Sequence, residues 1–279
     1  MNSEMGLTPQ KTLLVKDWKE DHIYLVQFPR CGSIISTSPF AIKLETWLRF
    51  TKLPYTNISN EFTIGSAKGQ IPFIELNGQQ FADSQAIIEM LIEKYKVQID
   101  AGLTERQRAE VRAFKVFIEE SLQRVAVYDR SQDNSWFATP DGFIENLTGI
   151  KRYGFQYFVN GQIRKQLRDM LYAQGMGRNS PAEVDAIAKK DLTALSALLG
   201  DKKYLYGDAP TTIDATLFGT LVSLYDPPLN SKEIKPFMES STPNLVAFIK
   251  RVKEEYWPDY EKLCKELLMN STDQSVKTV

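Results

Sequence analysis

Residues 69–91, GQIPFIELNGQQFADSQAIIEML, constrain the fold more tightly than any other stretch of this chain. Phe73, Ile74 and Leu76 form a short apolar run headed by Pro72. Asn77-Gly78 follows, and both residues tolerate positive φ, which makes the pair the strongest two-residue hairpin signal. Gln79 to Ala82 is then the return strand. Asp83 or Ser84 caps a helix whose apolar face is Ile87, Ile88, Leu91, Ile92 and Tyr95. The order is therefore strand, tight turn, strand and capped helix.

At 279 residues the chain has room for one large or two ordinary domains with a real core. A net charge of −1 gives no electrostatic case for nucleic acid or an anionic membrane as partner. No apolar run approaches the roughly 18 residues that span a bilayer, so direct membrane insertion is not expected. Residues 1–22 are polar and mixed, without a basic-then-apolar signal pattern. Two cysteines, Cys31 and Cys264, cannot make a disulfide framework, and a reduced, cytoplasmic location is the expectation. The single histidine, His22, leaves no basis for a His/Cys metal site, and no metal is expected.

The chain divides near residue 100. Ile23 to Phe28 reads as a buried strand, Pro39 to Thr51 as a helix with Phe40, Leu44, Trp47 and Leu48 on one face, and Tyr55 to Ser59 as a second strand. Two strands flanking a helix make a βαβ unit. After residue 104 the strand signal disappears. Val111, Phe114, Ile118, Leu122 and Val125 mark a long amphipathic helix. Residues 131–149 read as loop. Helical periodicity returns over Tyr153–Tyr172, Ala182–Leu199, Thr212–Leu224 and Pro243–Leu268, the last with a break at Trp257-Pro258. The expected units are an α/β domain over 20–98 and an all-helical domain over 104–269, with flexible termini at 1–19 and 270–279. Thr211 and Asp214 have the spacing of a capping box that opens an apolar helix.

This layout resembles the cytosolic glutathione transferases. Ser38-Pro39-Phe40 sits where glutaredoxins and omega-type transferases carry Cys-Pro-Phe. Ile71-Pro72 matches the family's cis-proline, and Asp83-Ser84 its acidic-Ser pair. At finer grain the chain is similar to the failed-axon-connections group, to cadmium-responsive relatives and, further off, to metaxins. QFPR at 27–30, SPFAIKLETWLRF at 38–50, KGQIPFIELNG at 68–78 and LLGDKKYLYGDAPTTIDATLFG at 198–219 carry that likeness. The resemblance implies an N-terminal thioredoxin-like domain of α/β class and an all-α C-terminal domain. It implies glutathione as co-substrate beside an unidentified hydrophobic electrophile, in a protein that is commonly a homodimer. It implies that Ile71 and Pro72 pair with the cysteinyl backbone of glutathione, Asp83 and Ser84 grip its γ-glutamyl end, and Lys68 faces its glycyl carboxylate. Only about 5–6% of X-Pro bonds in folded proteins are cis, so the sequence by itself predicts trans at Ile71-Pro72 while the resemblance predicts cis. The failed-axon-connections and metaxin likeness also implies an alternative: a non-catalytic interaction module linked to axon development or mitochondrial import.

Chemistry sharpens the enzyme reading. A thiol with a pKa of about 8.5 is only about 3% ionised at pH 7, and lowering that pKa by about two units requires roughly 2.7 kcal/mol. A helix N-terminus supplies about 0.3–1 kcal/mol. A hydroxyl donating to the thiolate adds roughly 1.5–3 kcal/mol. The catalytic candidates are therefore Ser38, Ser36 and Thr37, the hydroxyls that follow the first strand. Ser38 is equally a helix N-cap, with Pro39 as the first helical residue. Three departures from the family pattern stand out. Gln27 occupies the place of the tyrosine used by tyrosine-type transferases, Ser38 replaces the omega-type cysteine, and the loop from Arg30 to Thr37 is long. Cys31 lies in that loop. Tyr128, Trp136, Tyr153, Phe155, Tyr157 and Phe158 crowd the region expected to face the second substrate.

Overall fold

The computed structural model describes residues 8–9, 12–147, 154–155, 157–265 and 272–273. Its N-terminal half is a mixed sheet. Strand β2 (Ile23–Gln27) runs parallel to β3 (Tyr55–Ser59), and helix α1 (Pro39–Thr51) crosses between them. Strand β5 (Phe73–Leu76) lies antiparallel to β2, and β6 (Gln79–Ala82) returns beside it through the Asn77-Gly78 turn, where both residues have positive φ. Helix α2 (Ser84–Tyr95) follows. Two short pieces from the termini join this half. Strand β1 (Thr8–Pro9) pairs with β4 (Ile64–Gly65), and β7 (Thr272–Asp273) extends the sheet edge beside β3. The backbone amides of Leu14 and Val15 donate to the Glu75 carboxylate at 2.8 and 2.9 Å.

The second half is helical. Helix α3 (Glu105–Phe117) passes into α4 (Gln123–Gln132) through a π-turn over Ile118–Leu122. Helices α5 (Arg164–Gln174), α6 (Pro181–Leu199), α7 (Thr212–Tyr225), α8 (Ile234–Ser241), α9 (Pro243–Tyr256) and α10 (Tyr260–Lys265) complete it. The expected break at Trp257-Pro258 separates α9 from α10. Part of the expected loop between 131 and 149 is short helical turns, Ser135–Ala138 and Ile144–Asn146. Tyr153 and residues 148–149 lie outside the described residues.

Helix α7 shows why the bundle holds. It is buried from Thr212 to Leu224. Asp214 Oδ2 accepts from the Thr211 amide at 2.8 Å and from its hydroxyl at 2.7 Å, while Oδ1 accepts from the Leu205 amide. Burial pushes the Asp214 carboxyl up to about 6 against these bonds. Helix α1 lies directly on α7. A β-carbon at Gly219 would stand 2.6 Å from the Pro39 carbonyl oxygen, so glycine lets the two backbones meet.

Because α1 is covered by the sheet on one side and by α7 on the other, even its polar residues Lys43, Glu45 and Thr46 are buried. Glu45 is the hub. Arg30 donates to both its oxygens at 2.8 and 2.7 Å, Gln27 Nε2 donates at 2.6 Å, and Tyr55 OH donates at 3.0 Å. One turn on, Arg49 donates to both oxygens of Asp259 at 2.6 and 2.9 Å and lies 3.7 Å from the Trp257 ring centre. Burial pushes the Glu45 carboxyl up, but Arg30, Arg49 and Gln27 outweigh it, so the group sits below the usual carboxylate range.

Removing Glu45 breaks its buried ion pair with Arg30. Glu45→Ala is expected to lower unfolding free energy by about 3–5 kcal/mol in urea titration, whereas a loss under about 1 kcal/mol contradicts the hub. Since the native carboxyl titrates below its unfolded value, its contribution is complete above the unfolded pKa. It is lost as pH falls through the native one.

Candidate functional site

A cleft of about 360 Å³ opens between the two halves. Three chain segments of the α/β half reach it: Thr37 to Phe40 at the start of α1, Gln70 to Pro72, and Asp83 to Gln85 at the start of α2. The facing wall comes from α3, α4 and α5. Lys115, Glu119, Gln123, Arg124 and Arg130 supply its polar part, and Val127, Leu167 and Met170 an apolar part. Two helix N-termini thus point at one cavity, an arrangement that favours anions.

Ser38 lines the cleft. Its Oγ accepts from the Ala41 amide at 3.3 Å, as an N-cap does. Accepting that bond uses a lone pair and leaves the hydroxyl proton free to donate, so capping and thiolate stabilisation are compatible. Thr37 also lines the cleft, and its carbonyl accepts from Arg130 Nη1 at 2.6 Å. Ser36 does not line it; its side chain is fully buried and accepts from the Ser38 amide. Ile71-Pro72 is cis and faces the cleft, as the resemblance implied and the bare sequence did not.

Asp83 caps α2. Its Oδ1 accepts from the amides of Gln85 and Ala86 at 2.9 and 3.1 Å. Its backbone stands at φ 79°, ψ 114°, a sparsely populated region that costs of order 1–3 kcal/mol and is held by those bonds. Ser84 is the first helical residue and lines the cleft without serving as the cap. Lys68 is exposed and does not line the cavity.

Other candidates are spent elsewhere. Gln27 turns away from the cleft into the Glu45 hub and is fully buried. The long loop after β2 is clamped to the helical half: Gly32 and Ser33 donate to the carbonyls of Gly142 and Asp141 at 2.9 and 2.8 Å. A β-carbon at Gly32 would fall 1.9 Å from the Pro140 oxygen. Cys31 is fully buried within this clamp and donates to the Asp141 carbonyl, and burial pushes its thiol up to about 12. Burial does the same to Cys264. Neither is a nucleophile in the folded chain. Of the expected aromatic wall, Tyr128 bonds the Asn179 carbonyl, Phe155 packs on Phe62 and Phe143, and Tyr157 is exposed. None of the described members of that set lines the cleft; Phe28, Phe40 and Phe137 do.

Lys43, which bonds two lining residues, and Arg130, which lines the cleft, escaped sequence reasoning. Lys43 is buried and joins the halves, donating to Glu119 at 2.8 Å and Gln85 at 3.0 Å. Burial pulls its ammonium below the usual lysine range against Glu119. Arg130 is 5% exposed and belongs to α4. Their partners are far away in sequence, and no local pattern marks them. Among the described residues, no group of three His, Cys, Asp or Glu side chains is placed to hold a metal ion. No described helix is long and apolar enough to cross a membrane.

Residues 39–136 match the family model for the glutathione S-transferase N-terminal domain, and residues 188–252 match that for the C-terminal domain. Failed axon connections of Drosophila melanogaster is 35% identical over 91% of this chain, which spans 63% of that protein's length. The isoprene-epoxide glutathione S-transferase of a Rhodococcus species is 32% identical over 78% of this chain and 92% of its own. Among solved structures, a glutathione S-transferase of Ceriporiopsis subvermispora in complex with glutathione superposes with a TM-score of 0.58. It covers 83% of this chain and 96% of that one, at 16% identity, and supports the fold alone. Metaxin-1 and metaxin-2 also match. They are proteins of the mitochondrial outer membrane, which overturns the expectation of a plain cytoplasmic location. The chain belongs to the glutathione S-transferase-like, metaxin-related family that includes Failed axon connections.

Proposed function

We propose that the cleft binds glutathione and activates its thiol toward small electrophiles with an apolar body. One observation carries this reading. The start of α1 with Ser38, the cis Ile71-Pro72 bond and the start of α2 with Ser84 converge on a single cavity. Each group has a physical role. The Ser84 hydroxyl and its backbone amide at the α2 N-terminus receive the γ-glutamyl carboxylate, the Asp83 carboxylate takes the α-amine, and Ser38 donates to the thiolate. Val127, Leu167 and Met170 give the electrophile an apolar wall. The Rhodococcus relative pairs glutathione with an epoxide by name. An epoxide suits such a site: the sulfur–carbon bond forms as the carbon–oxygen bond breaks, and the alkoxide takes a proton from water.

The likeness to Failed axon connections and to metaxins favours a second reading, in which the fold serves as a protein-interaction module without turnover.

Calorimetric titration of glutathione separates the two. The enzyme reading predicts micromolar-to-millimolar binding, weakened in Ser84→Ala by about 1.5–3 kcal/mol, or roughly 10–150-fold. Ser84 is not the cap of α2, so this variant retains wild-type stability. Heat that stays at the dilution level up to several millimolar glutathione supports the interaction module instead. Conjugation of a model electrophile tests the hydroxyl. Ser38→Ala is expected to lose rate at neutral pH and recover it at alkaline pH, where the thiol ionises unaided. Ser38→Thr keeps a hydroxyl and a cap and is expected to stay active. An alanine variant as fast as wild type at neutral pH removes Ser38 from the chemistry.

A further inference from the structure

Among the described residues that line the cleft, Arg130 alone has buried side-chain nitrogens without a hydrogen-bond partner. The residue is 5% exposed, and only its Nη1 is engaged, with the Thr37 carbonyl at 2.6 Å. Nε and Nη2 are left over. A guanidinium does not give up its proton, so the charge stays in the wall of the cleft. Burying a cation without a counter-ion is unfavourable, and one carbonyl bond does not require it: a neutral amide donor would serve Thr37 as well.

The charged and titratable groups around Arg130 do not neutralise it. Asp129, beside it on α4, accepts from the amides of Asn230 and Ser231 at 3.0 and 2.8 Å and from the Asn230 side chain. The Cys31 thiol, facing it from the loop, is protonated. On the same wall, Glu119 is taken by Lys43, Arg124 is paired with Glu120 and Lys115 is a further cation, while across the cleft Asp83 caps α2.

The position of the charge indicates its use. Thr37 immediately precedes Ser38, so the guanidinium stands within one residue of the α1 N-terminus, where the thiol of a bound glutathione would lie. We propose that Arg130 is the cation that holds this thiol as thiolate, so that the helical half supplies part of the activating charge. The inference rests on the glutathione reading above and deepens it. An opposite charge within about 4–6 Å lowers a pKa by about 1–3 units, more than a helix N-terminus does. Arg130 would therefore contribute on the scale of Ser38.

The test is a pH titration of the ultraviolet thiolate absorbance of glutathione bound to the full chain. It is run on wild type, R130K, and the neutral variants R130Q and R130M, with affinity measured in parallel by calorimetry. Two neutral side chains are used so that one that fails to fold leaves the other as the test. Wild type is expected to titrate well below free glutathione, R130K close to wild type, and the neutral variants about 1–3 units higher. A purely structural clamp on Thr37 would change affinity or stability while leaving the titration where it was. Neutral variants that bind glutathione with an unshifted thiol overturn the inference and leave the binding reading intact. So does a wild-type protein whose bound thiol titrates like the free one. A wild type that does not bind glutathione at all overturns both.

Discussion

The structure depends on one buried carboxylate. Glu45 sits in the middle of α1 with no solvent contact and gathers Gln27 from β2, Arg30 from the loop beyond it and Tyr55 from β3. Each of them meets the carboxylate directly, and an interior of low dielectric strengthens those bonds. Arg49 extends the set from α1 to Asp259 and Trp257 at the far end of the helical half. Trp257 in turn donates to Thr46, beside the hub. A single helix is thereby fixed against its own sheet and against the second half. Nonpolar packing adds to this without direction: Trp47 of α1 shares a core with Ala215 of α7 and bonds Thr212.

The cleft inherits its shape from that anchoring. With α1 held from both sides, its N-terminus cannot drift from the cavity, and Ser38 and Thr37 stay beside Arg130. The α2 N-terminus is set independently by the Asp83 cap and then tied across the cavity through Gln85, Lys43 and Glu119. Polar groups from both halves therefore converge on one volume, with an apolar wall beside them. A site that binds a charged peptide and an apolar partner needs both kinds of surface.

The α/β half was largely legible in the sequence because its signals are local. Ser38-Pro39 starts α1 as a cap and a first-turn proline, Asn77-Gly78 turns the hairpin, and Asp83 caps α2. The segments proposed to bind glutathione were named from the family resemblance, since locally they read only as caps and a strand-heading proline. The rest required three dimensions. The π-turn at Ile118–Leu122 keeps helical spacing and leaves no mark in the pattern. Ser36, Thr37 and Ser38 are equivalent as letters, and only packing separates the fully buried Ser36 from the two that reach the cleft. Gln27 looked like a lost tyrosine but is a hub donor, and Lys68 is surface. Arg130 and Lys43 meet partners 93 and 76 residues away, a distance over which periodicity carries no information.

The central claim is that this cleft is a glutathione site. Hydrogen–deuterium exchange of the full chain with and without saturating glutathione tests it most directly. The account predicts slower exchange confined to amides around 38–42, 70–73 and 84–87, the three segments that meet in the cavity, with the Glu45 hub unchanged. Unaltered exchange in all three segments, or protection only elsewhere on the surface, would contradict it.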